Sequence, residues 1–140
     1  MEKILSIRVH REQEAEIALG RAVGALAVIE GQLKSLAEER SHAAADRFTS
    51  GVNAAELGVF DRYLRRLDAS RERLLEEAAQ AELKVEEARR LFMDASRERK
   101  ILDKLKERRQ AEYRKLSMQE AVKTVDDISS GAVARRMVLG

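Results

Sequence analysis

The chain has 140 residues, with no Cys, no Pro and no Trp, and its 27 basic residues nearly balance 25 acidic ones for a net charge of +2. The length allows one domain, and 37% charged with only 4% aromatic residues starves a globular interior while suiting helices zipped along a narrow seam. The lack of Cys excludes disulfides and thiolate-bound metal and fits a reducing compartment, the net charge is only a weak overall bias, and no stretch nears the roughly 18 apolar residues of a membrane span.

The opening, MEKILSIRVHREQEAEIALG, carries charges throughout and is not expected to be a signal peptide. A first helix is predicted over about 2–47. Leu19, Ala22, Leu26, Ile29, Leu33 and Leu36 recur in alternating steps of three and four, the heptad signature of a coiled-coil seam. Extended backward, this series meets Glu12 and Arg8, so Ile4, Ile7, Ala15 and Ala18 are expected to take over there. Gly20, Gly24 and Gly31 fall at outer positions of the same register. Each costs about 1 kcal/mol relative to Ala within a helix, and each would admit a close neighbour or lend flexibility.

Thr49, Ser50, Gly51 and Asn53 form a cluster of turn residues, which places the reversal at about 48–54. Asn53 is a candidate N-cap, with Glu56 three residues on as in a capping box. A second helix is predicted over about 54–128, with its seam at Phe60, Leu64, Leu67, Arg71, Leu74, Ala78, Ala81, Val85, Ala88, Phe92 and Ala95. Gly58 and the LDAS stretch at 67–70 allow a short separate helix beside the reversal, since Asp68 or Ser70 could start a new one. A frayed tail is expected over 129–140.

Two seams about one reversal predict an all-α fold: a single coiled-coil domain over 1–140, built as an antiparallel hairpin of two long helices. Arms of about 45 and about 75 residues, at 1.5 Å per residue, leave the second helix overhanging the first by at least roughly ten residues. The N-terminus then faces residues near 98, or nearer 113 if a short helix displaces the turn.

The stretch ERKILDKLKERRQAEY, residues 98–113, lies where the first helix ends. Its seam is expected to step from Leu102 to Leu105 and then to Arg109 and Glu112. Three readings compete. As a nucleic-acid arm it supplies Arg99, Lys100, Lys104, Lys106, Arg108 and Arg109, but Glu98, Asp103 and Glu107 repel phosphate and no groove-reading motif accompanies them. As a solvated helix it is held by pairs such as Asp103 with Lys106. As a docking surface it needs no intramolecular seam. Catalysis finds no support: His10 and His42 are far apart, His10 with Glu14 is not a metal site, and no phosphate loop or nucleophile motif occurs. Phe60 fits the seam. Tyr63 lies off it, either closing the end of the hairpin or exposed as an anchor for another protein.

These residues resemble the flagellar FliJ family, small coiled-coil components of the flagellar type III export apparatus. The resemblance rests on AAELGVFDRYLRRLDASRERL, on KVEEARRLFMDASRERKILDKLKERRQAEY and on an N-terminal IL.IR..REQEAEIALG pattern. It spans nearly the whole chain, and ASRERKILDKLKERR is its most specific part. It implies a non-enzymatic, cofactor-free cytoplasmic coiled coil, like the stalk subunit of rotary ATPases and peripherally associated with the membrane at the flagellar base. The implied partners are the hexameric export ATPase, the cytoplasmic domain of the membrane export gate, and export chaperones or substrates, with no nucleic acid and no membrane insertion. The end bearing both termini would enter the ATPase ring through Arg99, Lys100, Lys104, Arg108 and Arg109. The turn end would face the gate through Phe60, Tyr63, Leu67, Ser70 and Leu74, of which Ser70 and Leu74 are generic residues. An injectisome stalk would look similar, and a structural or holdase-type adaptor without an export role is the competing reading.

Overall fold

The computed structural model describes the backbone of residues 1–49 and 53–139 and the side chains of residues 1–46 and 53–138. It is an all-α helical hairpin of α1 (Glu2–Thr49) and α2 (Ala54–Leu139). The expected reversal at Thr49, Ser50 and Gly51 lies outside the residues described with side chains. Its far edge is described: the Asn53 side-chain oxygen accepts from the Glu56 N–H at 2.9 Å, and the Asn53 carbonyl accepts from the Leu57 N–H. Asn53 thus satisfies a donor that the first turn of α2 would otherwise leave unpaired, as an N-cap does.

α2 is continuous from Ala54 to Leu139. No short helix splits off between the reversal and 67–70, and helix persists past the expected end near 128. Asp68 does not cap a new helix because its carboxylate is engaged elsewhere. Arg40 of α1 donates to it from Nε at 2.8 Å and from Nη2 at 3.5 Å, a two-pronged bond that ties the helices together instead.

The chain forms two compact units, one of Val9–Ser96 and one of Met1–Arg8 with Arg97–Gly140. In the first, α1 and α2 run antiparallel. Glu39 and Arg40 meet Tyr63 and Asp68, while Ala22 and Ile29 share a groove with Glu77, Ala81 and Lys84. The predicted seam of α1 from Leu19 to Leu36 is half-buried throughout. Its partner holds the buried residues among those described: Leu67 at 7% exposure, Ala78 at 9%, Ala81 at 8% and Val85 at 6%. Small side chains at 78 and 81 leave room for the larger ones of α1, which is how a two-helix seam becomes dry without aromatic bulk. Arg71, also on the seam series, is exposed.

In the second unit, Arg8 of α1 is ion-paired with Glu98 of α2, and the Lys106 ammonium lies 3.7 Å from the Glu2 carboxylate. The first residues of α1 therefore stand opposite about 98–106, between the two expected alignments. Two seam expectations need correction. Leu5 and Arg8 are half-buried here, as are Glu12 and Ala15 in the other unit, whereas Ile4, Ile7 and Ala18 are exposed. On α2 the half-buried series runs Arg99, Leu102, Lys106, with Asp103 half-buried beside Leu102, and Leu105 faces solvent. The three-four alternation is kept through charged residues because those charges find partners. From Glu107 to Val138 every described residue is exposed.

Candidate interaction surfaces at the turn and on the long helix

Near Asn53 the first turns of α2 present an open groove lined by Asn53, Ala55, Glu56, Val59, Phe60, Tyr63 and Arg66. Helical spacing brings these together, since residues three and four apart share a face. Tyr63 is half-buried. Its hydroxyl donates to a Glu39 carboxylate oxygen on α1, and the Arg66 guanidinium lies 5.9 Å from its ring centroid, within the range of a cation–π contact. The hydrogen bond to Glu39 pushes the Tyr63 pKa up, because ionisation would remove the donated proton; burial and the Glu39 charge act in the same direction. Tyr63 therefore links α2 to α1 through Glu39 while part of its side chain stays exposed to solvent.

The other residues assigned to this end are disposed unequally. Phe60, Ser70 and Leu74 are half-buried and Leu67 is buried. Phe60, Leu67 and Leu74 all belong to the seam series, so Leu67 offers little surface to another protein while the helices stay paired. The sequence reading did not single out Val59, 59% exposed, or Arg62, Arg65 and Arg66, which with Val59 line an adjoining depression. The i, i+3, i+7 spacing of 59, 62 and 66 was the available signal.

At the other surface, Arg99 is half-buried and bonded to Asp103 at 2.6 Å. Asp103 thus pairs backward with Arg99, and Lys106, its expected partner, reaches Glu2. Lys100, Lys104, Arg108 and Arg109 are exposed. Further along, Ala111, Met118 and Val122 share an open face with Arg114, Lys115 and Lys123. His10 and Glu14 form a 3.0 Å contact on the α1 surface. Among the described residues no group of His, Cys, Asp and Glu side chains could hold a metal ion, and no helix is long and apolar enough to cross a membrane.

The family model described as "Flagellar FliJ protein" matches residues 1–137. Comparison with curated proteins and with solved structures gave no match.

Proposed function

This chain belongs to the flagellar FliJ family, which makes it a component of the flagellar export apparatus, and we propose that within it the chain acts as a non-enzymatic stalk between the export ATPase and the export gate. The observation that carries this reading is the long stretch of α2 from Glu107 to Val138, helical and exposed at every described position. A helix that retains its form with no partner on its own chain is suited to insertion into a ring. Arg108 and Arg109 are exposed at the start of this shaft and Lys100 and Lys104 just before it, where Arg99 is paired with Asp103. Such contacts are weak and exchangeable, each worth about 0.2–1 kcal/mol.

The gate would be met at the turn end through Tyr63 and Phe60, with Leu67, Ser70 and Leu74 supporting that surface from the hairpin side. In this reading the chain hydrolyses nothing itself, carries no cofactor, and associates with the membrane only through the gate. The exposed row of Ala111, Met118 and Val122 favours a second reading, a holdase that shields apolar segments of export chaperones or substrates. Charge reversal separates the two. Arg108→Glu with Arg109→Glu is expected to leave helicity and Tm nearly unchanged and to lower ring binding and ATPase stimulation, most at low salt, where screening is weakest. Full stimulation across salt concentrations, with suppression of client aggregation retained, would favour the holdase.

A further inference from the structure

In the unit formed by Met1–Arg8 and Arg97–Gly140 the usual coiled-coil pattern is inverted. Half-buried positions of this unit carry Arg8, Arg99, Asp103 and Lys106 beside Leu5 and Leu102. Meanwhile Ile4, Ile7, Ile101 and Leu105 are between 42% and 59% exposed. Each of these aliphatic residues immediately precedes a half-buried one in sequence: Ile4 before Leu5, Ile7 before Arg8, Ile101 before Leu102, Leu105 before Lys106. Neighbouring residues of a helix point about 100° apart. In an antiparallel pair, stepping back by one residue turns the two helices in opposite senses, as meshed gears turn, so all four aliphatic side chains fall on the same flank of the contact.

Glu2 with Lys106 and Arg8 with Glu98 set the axial alignment, which places Ile4 and Ile7 level with about 99–104, within a residue or so of Ile101 and Leu105. No sliding along the axis is therefore needed to bring the aliphatic set into the seam. A counter-rotation by part of the angle between neighbouring residues suffices. We propose that this end of the hairpin is bistable, with an ion-paired register, the one observed, and an aliphatic register in which Ile4 and Ile7 meet Leu105 and Ile101.

The two registers draw on interactions that respond oppositely to salt. The ion pairs of the first are partly solvated, with side-chain exposures of 30% and 51% for Arg8 and Glu98 and of 34% and 87% for Lys106 and Glu2. Screening weakens such pairs. Apolar contact is not weakened by salt, and salting-out ions strengthen it. A neutralising surface, which competes for the same side chains, would bias the switch in the same direction as salt. The proposal does not depend on which partner the chain serves.

The chain lacks Cys, so introduced pairs report cleanly. In the full chain, Leu5→Cys with Leu102→Cys reads the ion-paired register, and Ile4→Cys with Leu105→Cys reads the aliphatic one. Oxidation rates are compared at low and high salt, with helicity followed by circular dichroism. Between about 0.05 and 1 M salt the Ile4/Leu105 cross-link should rise roughly threefold or more while the Leu5/Leu102 cross-link falls. Glu98→Gln should produce the same shift at low salt. Methyl contacts between Ile4 and Leu105 in the unsubstituted chain, observed by NMR at high salt, give a second reading that needs no cysteine. Cross-linking independent of salt would mean a single fixed seam. A fall in both cross-links would mean that the end opens without pairing again. Either result, or absence of the methyl contacts, overturns the proposal.

Discussion

Replacing Gly20, Gly24 and Gly31 together by Ala should stabilise the hairpin. All three lie inside α1, all are exposed, and none has positive φ. A Cβ built at any of them meets no atom within 4 Å, so the substitution adds neither clash nor strain. What remains is the intrinsic difference in helix propensity, about 0.8–1 kcal/mol per site, much of it arising from the freedom glycine gives the unfolded chain. The sites share no partner, so the three effects should nearly add, to about 2–3 kcal/mol. At this chain length that corresponds to a rise in Tm of roughly 6–12 °C. Thermal melts followed by circular dichroism at several protein concentrations would measure it. An unchanged or lowered Tm would refute the reasoning. It would mean that the glycine face packs closely against another molecule in solution, or that the helix register differs from the one described.

Val85→Asp should destabilise the hairpin by more than about 3 kcal/mol, because it places a carboxylate at the driest point of the seam; denaturant titration against Leu83→Asp, at an exposed position, provides the control. The Arg40 hydrogen bond holds the Asp68 carboxyl below the usual carboxylate range. Stability from this pair is therefore present above the unfolded-state pKa and lost as pH falls through the lower folded-state value. Arg40→Gln should return the Asp68 titration, followed by carboxyl NMR, to the ordinary range. Tyr63→Ala should weaken capture of the export gate's cytoplasmic domain while Tyr63→Phe weakens it less, since Phe loses only the bond to Glu39; equal capture by the parent and Tyr63→Ala would remove Tyr63 from the contact.

Much of this architecture can be read from local spacing. Steps of three and four from Leu19 to Leu36 and from Phe60 to Ala95 identify two helices that each need one narrow partner. Asn53 marks where the second begins, and the glycines face outward because they are out of phase with the seam. Both candidate surfaces are marked as stretches by spacing, since ERKILDKLKERRQAEY follows the last strongly apolar seam positions of α2 and Tyr63 stands beside the first, Phe60 and Leu64. Their disposition could not. Val59 with Arg62 and Arg66 becomes a surface only once the opposite face is known to be covered, and Leu67 proves to be one of the residues best hidden from a partner.

What periodicity leaves open is the treatment of charge. An Arg or Glu on an apolar series reads as a break, since its cost depends on whether an opposite charge lies across the gap. Arg8 finds Glu98, which is 90 positions away, Lys106 finds Glu2, and the series continues where spacing alone suggested a change to Ile4 and Ile7. Asp68 might have capped a helix by its residue type alone, yet Arg40 of the opposite helix claims its carboxylate and α2 runs through. Heptad spacing is set by neighbours within a turn and so belongs to the sequence. The fate of each charge is set by residues brought near only by the antiparallel pairing, and the tertiary structure decides it.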